Sequence, residues 1–233
     1  MHRVREIDCR VESLGYLTHD IKLIRLAIVA GGPLDFSAGQ YAKLIFPNIA
    51  EKFYSIASLP GDTGLEFHIR RAGEGSSSHF VLDELSVGDK VEVTAPMGKS
   101  YFRGEHRGPV LCVAGGSGMA PIRCIVETAL RDDPDRELHL YFGARDEHDI
   151  YLEERFTHLA REHGQFSFTP VLSAPSGETR RRTGFVHEAV AVDIASFAGW
   201  KTYLCGPPPM VNAMIELLHQ RGLGDQDIHA DAF

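Results

Sequence analysis

A change of rhythm near residue 104 limits what this chain can fold into more than any other feature. Before it, apolar residues fall in short runs at 9–14, 21–29, 41–46, 65–70 and 90–94, separated by glycine, proline, aspartate and serine. Runs of that length and spacing predict antiparallel strands closing into a barrel or sandwich. One helix is expected among them, over 79–85, capped by the serines at 76–78. After residue 108 the pattern alternates. Strands are expected at 109–114, 137–142, 166–172 and 202–205, and helices at 120–131, 152–162, 183–192 and 209–221. Continuous apolar strands alternating with helices imply a parallel sheet covered on both faces. The polar connection at 103–108 divides the chain into a β-barrel domain, 1–104, and an α/β domain, 105–233.

Charge and cysteine usage exclude several classes. Lys and Arg number 24 against 32 Asp and Glu, a formal charge of −8, whereas nucleic-acid binding needs a basic field. No apolar stretch approaches the roughly 18 residues of a membrane span. The start, Met1 to Glu6, lacks the apolar core of a secretory signal, so a cytoplasmic protein is expected. Cys9, Cys112, Cys124 and Cys205 lack the close spacing of zinc or iron–sulfur ligands and are expected as reduced thiols, with no metal site.

Four segments carry chemistry. Gly115-Gly116-Ser117-Gly118-Met119-Ala120-Pro121 follows an apolar strand and opens a helix, which brings backbone N–H groups close to an anion such as a pyrophosphate. It is not the ordinary dinucleotide fingerprint, because Pro121 replaces the last glycine and the second strand ends in Gly143-Ala144-Arg145 without an acid to hold a ribose. Nor is it a nucleophile elbow, since Met119 stands where that motif needs glycine. Cys205-Gly206-Pro207 follows a late strand on the ligand-binding edge of such a sheet; alone, it reads as a core thiol before a proline-capped helix. Lys52-Phe53-Tyr54-Ser55 offers a cation, aromatic rings and a hydroxyl, although an ordinary strand would look the same. Gly75-Ser76-Ser77-Ser78 is a second glycine–serine approach to a helix, equally readable as a solvated loop.

In this order, together with Gly39-Gln40-Tyr41, His68-Ile69-Arg70, Pro96-Met97-Gly98 and 141–145, these segments resemble the ferredoxin–NAD(P)+ reductase superfamily over essentially the whole chain. The nearest look-alikes are reductase components of bacterial aromatic-ring oxygenases and NAD(P)H:flavin reductases. The resemblance implies a six-stranded antiparallel flavin barrel followed by a parallel-sheet nucleotide domain. Lys52, Phe53, Tyr54 and Ser55 would then hold FAD, His68, Ile69 and Arg70 its ribityl region, and Gly75, Ser76, Ser77 and Ser78 its pyrophosphate. Gly115, Gly116, Ser117, Gly118 and Pro121 would hold the pyridine nucleotide, with Gly143, Arg145, Gly206 and Pro207 also on the cofactors, and Phe233 would cover the flavin. Ser55 and Cys205 would border the hydride-transfer point, neither acting as acid or base.

Two departures matter. Lys52 stands where the family usually has arginine, and a point charge holds phosphate with less geometric specificity than a guanidinium fork. Arg70 or Arg71 could compensate. Ala174 follows Ser173 where NADPH-using relatives often have arginine, so NADH is expected over NADPH, with the run Arg180-Arg181-Arg182 as the feature that contests this. The implied acceptor is a [2Fe–2S] ferredoxin, separate or fused. The alternative is a reductase that uses free flavin as a substrate.

Overall fold

Strand β1 (Arg5–Tyr16) sets the pattern of the first half. Ile7, Cys9 and Val11 are buried while Glu6, Asp8 and Arg10 face water, the alternation of a half-buried strand. In this computed structural model, which describes residues 2–46, 51–72 and 77–233, five more strands join it. They are β2 (Ile21–Ala30), β3 (Tyr41–Ile45), β4 (Lys52–Ser55), β5 (Gly64–Arg70) and β6 (Lys90–Met97), in the antiparallel order β4-β3-β6-β1-β2-β5. Register breaks between Asp8 and Cys9 and between Val11 and Ser13 raise the local twist. The sheet curls until its edges, β4 and β5, approach each other. Just past β4 the Ala57 N–H donates to the Glu66 carbonyl of β5 at 2.8 Å, so the barrel is nearly closed. Helix α1 (Ser77–Asp83), between β5 and β6 in the chain, packs against β5.

The second half is a parallel sheet. β7 (Val110–Gly115) is buried along its whole length, as a strand covered by helices on both faces must be. Helix α2 (Met119–Asp132) leads to β8 (Leu138–Ala144), then α3 (Glu153–Glu162), β9 (Phe166–Leu172), the two-residue β10 (Arg182–Thr183), α4 (Val186–Asp193), β11 (Lys201–Gly206), α5 (Pro208–Gln220) and β12 (Ile228–Ala232). The sheet order is β10-β9-β8-β7-β11-β12. The chain therefore builds outward from β7 to one side and then crosses to β11 on the other. Their carboxyl ends, Gly115 and Gly206, flank the switch point where open α/β sheets bind ligands.

One apolar cluster runs from Leu26 and Phe67 in the barrel to Ile122 and Ile125 on α2 and Phe142 on β8. A second packs Val190 on α4 and Met214 on α5 against Leu111 and Val113 of β7. The barrel and the near face of the parallel sheet thus share a core. The expected architecture is present, with two differences in detail. Gly184 sits at φ +111° and 182–183 pair with β9, so the helix expected from 183 begins only at Val186. The strand β12 was not expected, since Ile228-His229-Ala230-Asp231-Ala232 has little intrinsic β preference. Pairing with β11 in parallel register makes it a strand.

Candidate functional site

The glycine turn is shaped by contact with the neighbouring strand end. After β7 a 3₁₀ turn, Gly116–Gly118, enters α2 directly. Gly116 takes φ +54°, a conformation side chains rarely adopt. A Cβ on Gly118 would lie 2.1 Å from the Cys205 carbonyl oxygen, so only glycine lets the turn reach β11. Pro121 sits in the first turn of α2, where its missing N–H has no helical partner to lose. On the other side of the switch point, Pro207 precedes α5 and Pro208 and Pro209 open it.

Two cavities meet at this edge. One, of about 640 Å³, lies between the barrel and the switch point and is walled by Lys52, Phe53, Tyr54, Ser55 and His68 from the barrel, with Ser117, Asp231 and Phe233 facing them. The other, of about 670 Å³, lies over the carboxyl edge of the parallel sheet, bounded by Gly116, Gly143, Arg145, Ser173, Phe185 and Met210 among others. Arg70, Gly115 and Pro207 belong to both walls, so the cavities share one boundary. Volumes of this size suit cofactor-sized ligands.

The cations divide by pairing. Arg70 Nε donates to Asp20 Oδ2 at 2.7 Å, and Arg71 grips Asp83 through two bonds of 2.6 and 2.7 Å. Burial pushes the Asp20 carboxyl up, but bonds from Arg70 and Thr18 outweigh it and hold it below its ordinary value. Lys52 and Arg145 have no ion pair among the described residues, which leaves one uncommitted cation on each cavity. Burial also raises Asp231, to about 6, against a hydrogen bond from Ser100.

Below the shared boundary, a buried polar network ties β5 to α2 and α3. Glu66 faces Arg123 and, at 2.9 Å, Arg25; Arg123 reaches Glu127 at 3.0 Å, which Arg155 also holds at 2.5 Å. Burial alone would push Glu66 up, but the His68 hydrogen bond and the Arg123 and Arg25 charges bring its carboxyl down to about 2. Burial lowers His68 in turn, and its Nε2 lies 3.3 Å from Glu66. Its Nδ1 lies 3.3 Å from the Tyr151 hydroxyl, itself 3.2 Å from the Gly116 carbonyl. The network thus runs from the barrel to the glycine turn.

Most of the residues expected at the site line these walls. Ser78 does, and its Oγ also accepts from the Ala72 N–H at 2.8 Å. Gly75 and Ser76 lie outside the described residues, as does the side chain of Ser77. Five others stand behind the walls. Ile69 is turned into the barrel core, Gly118 and Pro121 shape the turn, and Gly206 and Cys205 form the end of β11. Cys205 is 2% exposed, and burial holds its thiol well above the ordinary range, so it is a neutral S–H next to Asp231 of β12. Sequence reasoning gave no role to Tyr41, Asp231, Phe185 or His187, which also line the cavities. Tyr41 packs edge-on to Phe53 at 5.7 Å between ring centres.

The donor set fits two dinucleotides. The barrel-side cavity offers aromatic walls for a ring system and cations for phosphate; the other offers a glycine cradle that any Cβ would fill. Known proteins agree. Residues 8–102 match the model of an oxidoreductase FAD-binding domain, and residues 112–216 that of an oxidoreductase NAD-binding domain. The chain is 41% identical over 233 residues to the ferredoxin–NAD(P)+ reductase component of naphthalene 1,2-dioxygenase/salicylate 5-hydroxylase systems from Ralstonia, covering all of this chain and 70% of that protein. It is 36% identical to the reductase subunit of an aromatic O-demethylase from Amycolatopsis, again over all of this chain and 70% of the relative. Among solved structures, an Amycolatopsis cytochrome P450 reductase superposes with a TM-score of 0.93 at 35% identity, over the whole chain and 71% of that structure. The ferredoxin reductase of a carbazole 1,9a-dioxygenase gives 0.88 at 27% identity, over 99% of this chain and 70% of the other.

Proposed function

The chain belongs to the ferredoxin–NAD(P)+ reductase superfamily, and from that premise we propose which residues hold its cofactors and what takes its electrons. It is an oxidoreductase that works with FAD and a nicotinamide dinucleotide alongside an oxygenase or ferredoxin partner. Held between the barrel-side wall at Lys52–Ser55 and the facing lobe, FAD would supply hydride acceptance from a nicotinamide and onward delivery of electrons. The protein's own part is alignment.

Tyr54 and Phe53 give the flavin ring its faces, Ser55 offers a hydroxyl at its edge, and Phe233 closes the cavity from the other lobe. Lys52 takes phosphate as a point charge, Arg70 stands where the two cofactors meet, and Ser78 borders the phosphate end. The backbone at Gly115 and Gly116 takes the nicotinamide dinucleotide, with Gly143 and Arg145 along it. Cys205, a neutral thiol behind the wall, shapes the meeting point and moves no proton. The lobes divide at 103–108, and the protein works in the cytoplasm.

The observation that carries this reading is the common boundary at Arg70, Gly115 and Pro207, where the two cavities meet. NADH is the preferred donor. Ser173 and Ala174 line the nucleotide cavity without a cation after the serine, Arg181 is tied to Glu147 and Glu153 at 2.5 to 2.6 Å, and Arg182 is tied to Asp193. A [2Fe–2S] ferredoxin is the acceptor. Anaerobic titration of the flavin-loaded protein with NADH and NADPH tests both points. Bleaching of the flavin absorbance by NADH at lower concentration than NADPH is expected; no bleaching by either removes the enzyme reading.

A further inference from the structure

At the rim of the nucleotide cavity, whose lining includes Asp149, one cluster gathers three metal-ligating side chains from the two halves of the chain. His19 lies in the turn between β1 and β2; His148 and Asp149 lie in the 3₁₀ turn after β8. One donor atom from each lies within 4.8 Å of the others. His19 Nδ1 is 3.7 Å and His148 Nε2 3.6 Å from the same oxygen, Asp149 Oδ1.

Those separations are too long for hydrogen bonds. They are close to the roughly 3.4 Å that separates ligands around a tetrahedral ion bound at about 2.0–2.1 Å. The three donor atoms lie within 4.8 Å of one another, and the two imidazoles meet edge to face with ring centres 5.0 Å apart.

The surrounding atoms hold them there. Asp149 spends its other oxygen, Oδ2, accepting from the Asp146 N–H at 3.0 Å, which leaves Oδ1 toward the imidazoles. Asp146 is itself buried, accepts from the Glu147 N–H at 2.8 Å, and sets Oδ2 3.6 Å from His148 Nδ1.

We propose that His19, His148 and Asp149 bind a borderline divalent cation of the Zn2+ type, which staples the barrel to the nucleotide lobe beside the nucleotide cavity. Two imidazoles and one carboxylate select Zn2+, Cu2+ or Ni2+ over Mg2+ and Ca2+. Three protein ligands leave a fourth position for water. The ion joins segments that are far apart in the chain, so it stabilises the folded protein without entering the electron path.

The test uses the flavin-loaded, untagged, metal-stripped protein titrated with ZnCl2 by calorimetry, with Co2+ absorption reporting coordination and thermal melting reporting the staple. One Zn2+ per chain, a higher melting temperature, and no comparable binding of Mg2+ are expected. His19→Ala and His148→Ala should each weaken binding by about tenfold or more and abolish the melting shift. His158→Ala, an exposed imidazole on α3 paired with Glu162, should change neither. Both ligand histidines are exposed, so the metal-free variants should melt like the metal-free wild type. No binding in the wild type, binding that survives His19→Ala, or equal binding of Mg2+ would overturn the site.

Discussion

The two cavities share a boundary but are made from different materials. The barrel-side cavity is a collection of side chains. An antiparallel sheet commits its backbone to its ladder and offers alternate residues to one face, so charge and aromatic surface come from Lys52, Tyr54, His68 and Arg70. The nucleotide-side cavity depends on backbone. At the switch point of a parallel sheet the strands end together, and the backbone of the turn into the next helix is open to a ligand. What that edge needs is the absence of side chains, which Gly115, Gly116 and Gly118 supply. A side-chain site therefore degrades gradually under substitution, whereas a backbone site fails at once.

The largest expected effect breaks the backbone side. Gly118→Val forces a Cβ against the Cys205 carbonyl at 2.1 Å, and neither partner is a flexible side-chain tip. A loss of about 4 kcal/mol or more is expected in denaturant unfolding, with NADH no longer bleaching whatever flavin is retained. A melting curve close to wild type would mean that the turn can shift and that the backbone site is as tolerant as the side-chain one.

Next is the network that couples the two sides. Glu66 is brought from an ordinary 4.5 to about 2 in the folded protein. A depressed carboxyl contributes stability above its unfolded value and loses it as the pH falls toward the folded one. The contribution is about 3 kcal/mol, present at neutral pH and lost between about 4.5 and 2. Glu66→Gln should remove it, flatten the acid limb of the stability profile, and leave Arg123 short of a partner. Unchanged acid unfolding would uncouple Glu66 from the interface.

The smallest pair of effects sharpens the side-chain half. Arg70→Ala removes a guanidinium from both walls and should weaken flavin and nucleotide binding by about tenfold each. Lys52→Ala, on one wall only, should lower flavin content by a few-fold and leave NADH affinity unchanged. The ratio of bound flavin to protein and an NADH titration measure both. Equal losses of NADH affinity in the two variants would erase the distinction between a shared and a private cation.

How much could be read in advance follows the same division. The strands of both halves were legible because burial writes alternation into β1 and an unbroken apolar run into β7. Contiguous motifs carried the site as far as contiguity allows. His68 and Arg70 reach the flavin cavity, but Ile69 between them turns inward, because successive residues on a strand face opposite ways. Tyr41 and Asp231 received no role because each lies on a strand that meets the cavity only after the sheets have formed. His19 and His148 lie in turns far apart in the chain, and only the packing of the lobes brings them together.

Local sequence thus determined the element types, the two-lobe order and the glycine cradle, since each depends on the spacing of neighbouring residues. Tertiary structure alone decided that β12 exists, that Glu66 sits among arginines at a carboxyl value of about 2, and that two cavities meet at Arg70. Those facts concern distances between residues far apart in the chain. Only packing one lobe against the other, with a shared apolar core beneath, sets such distances.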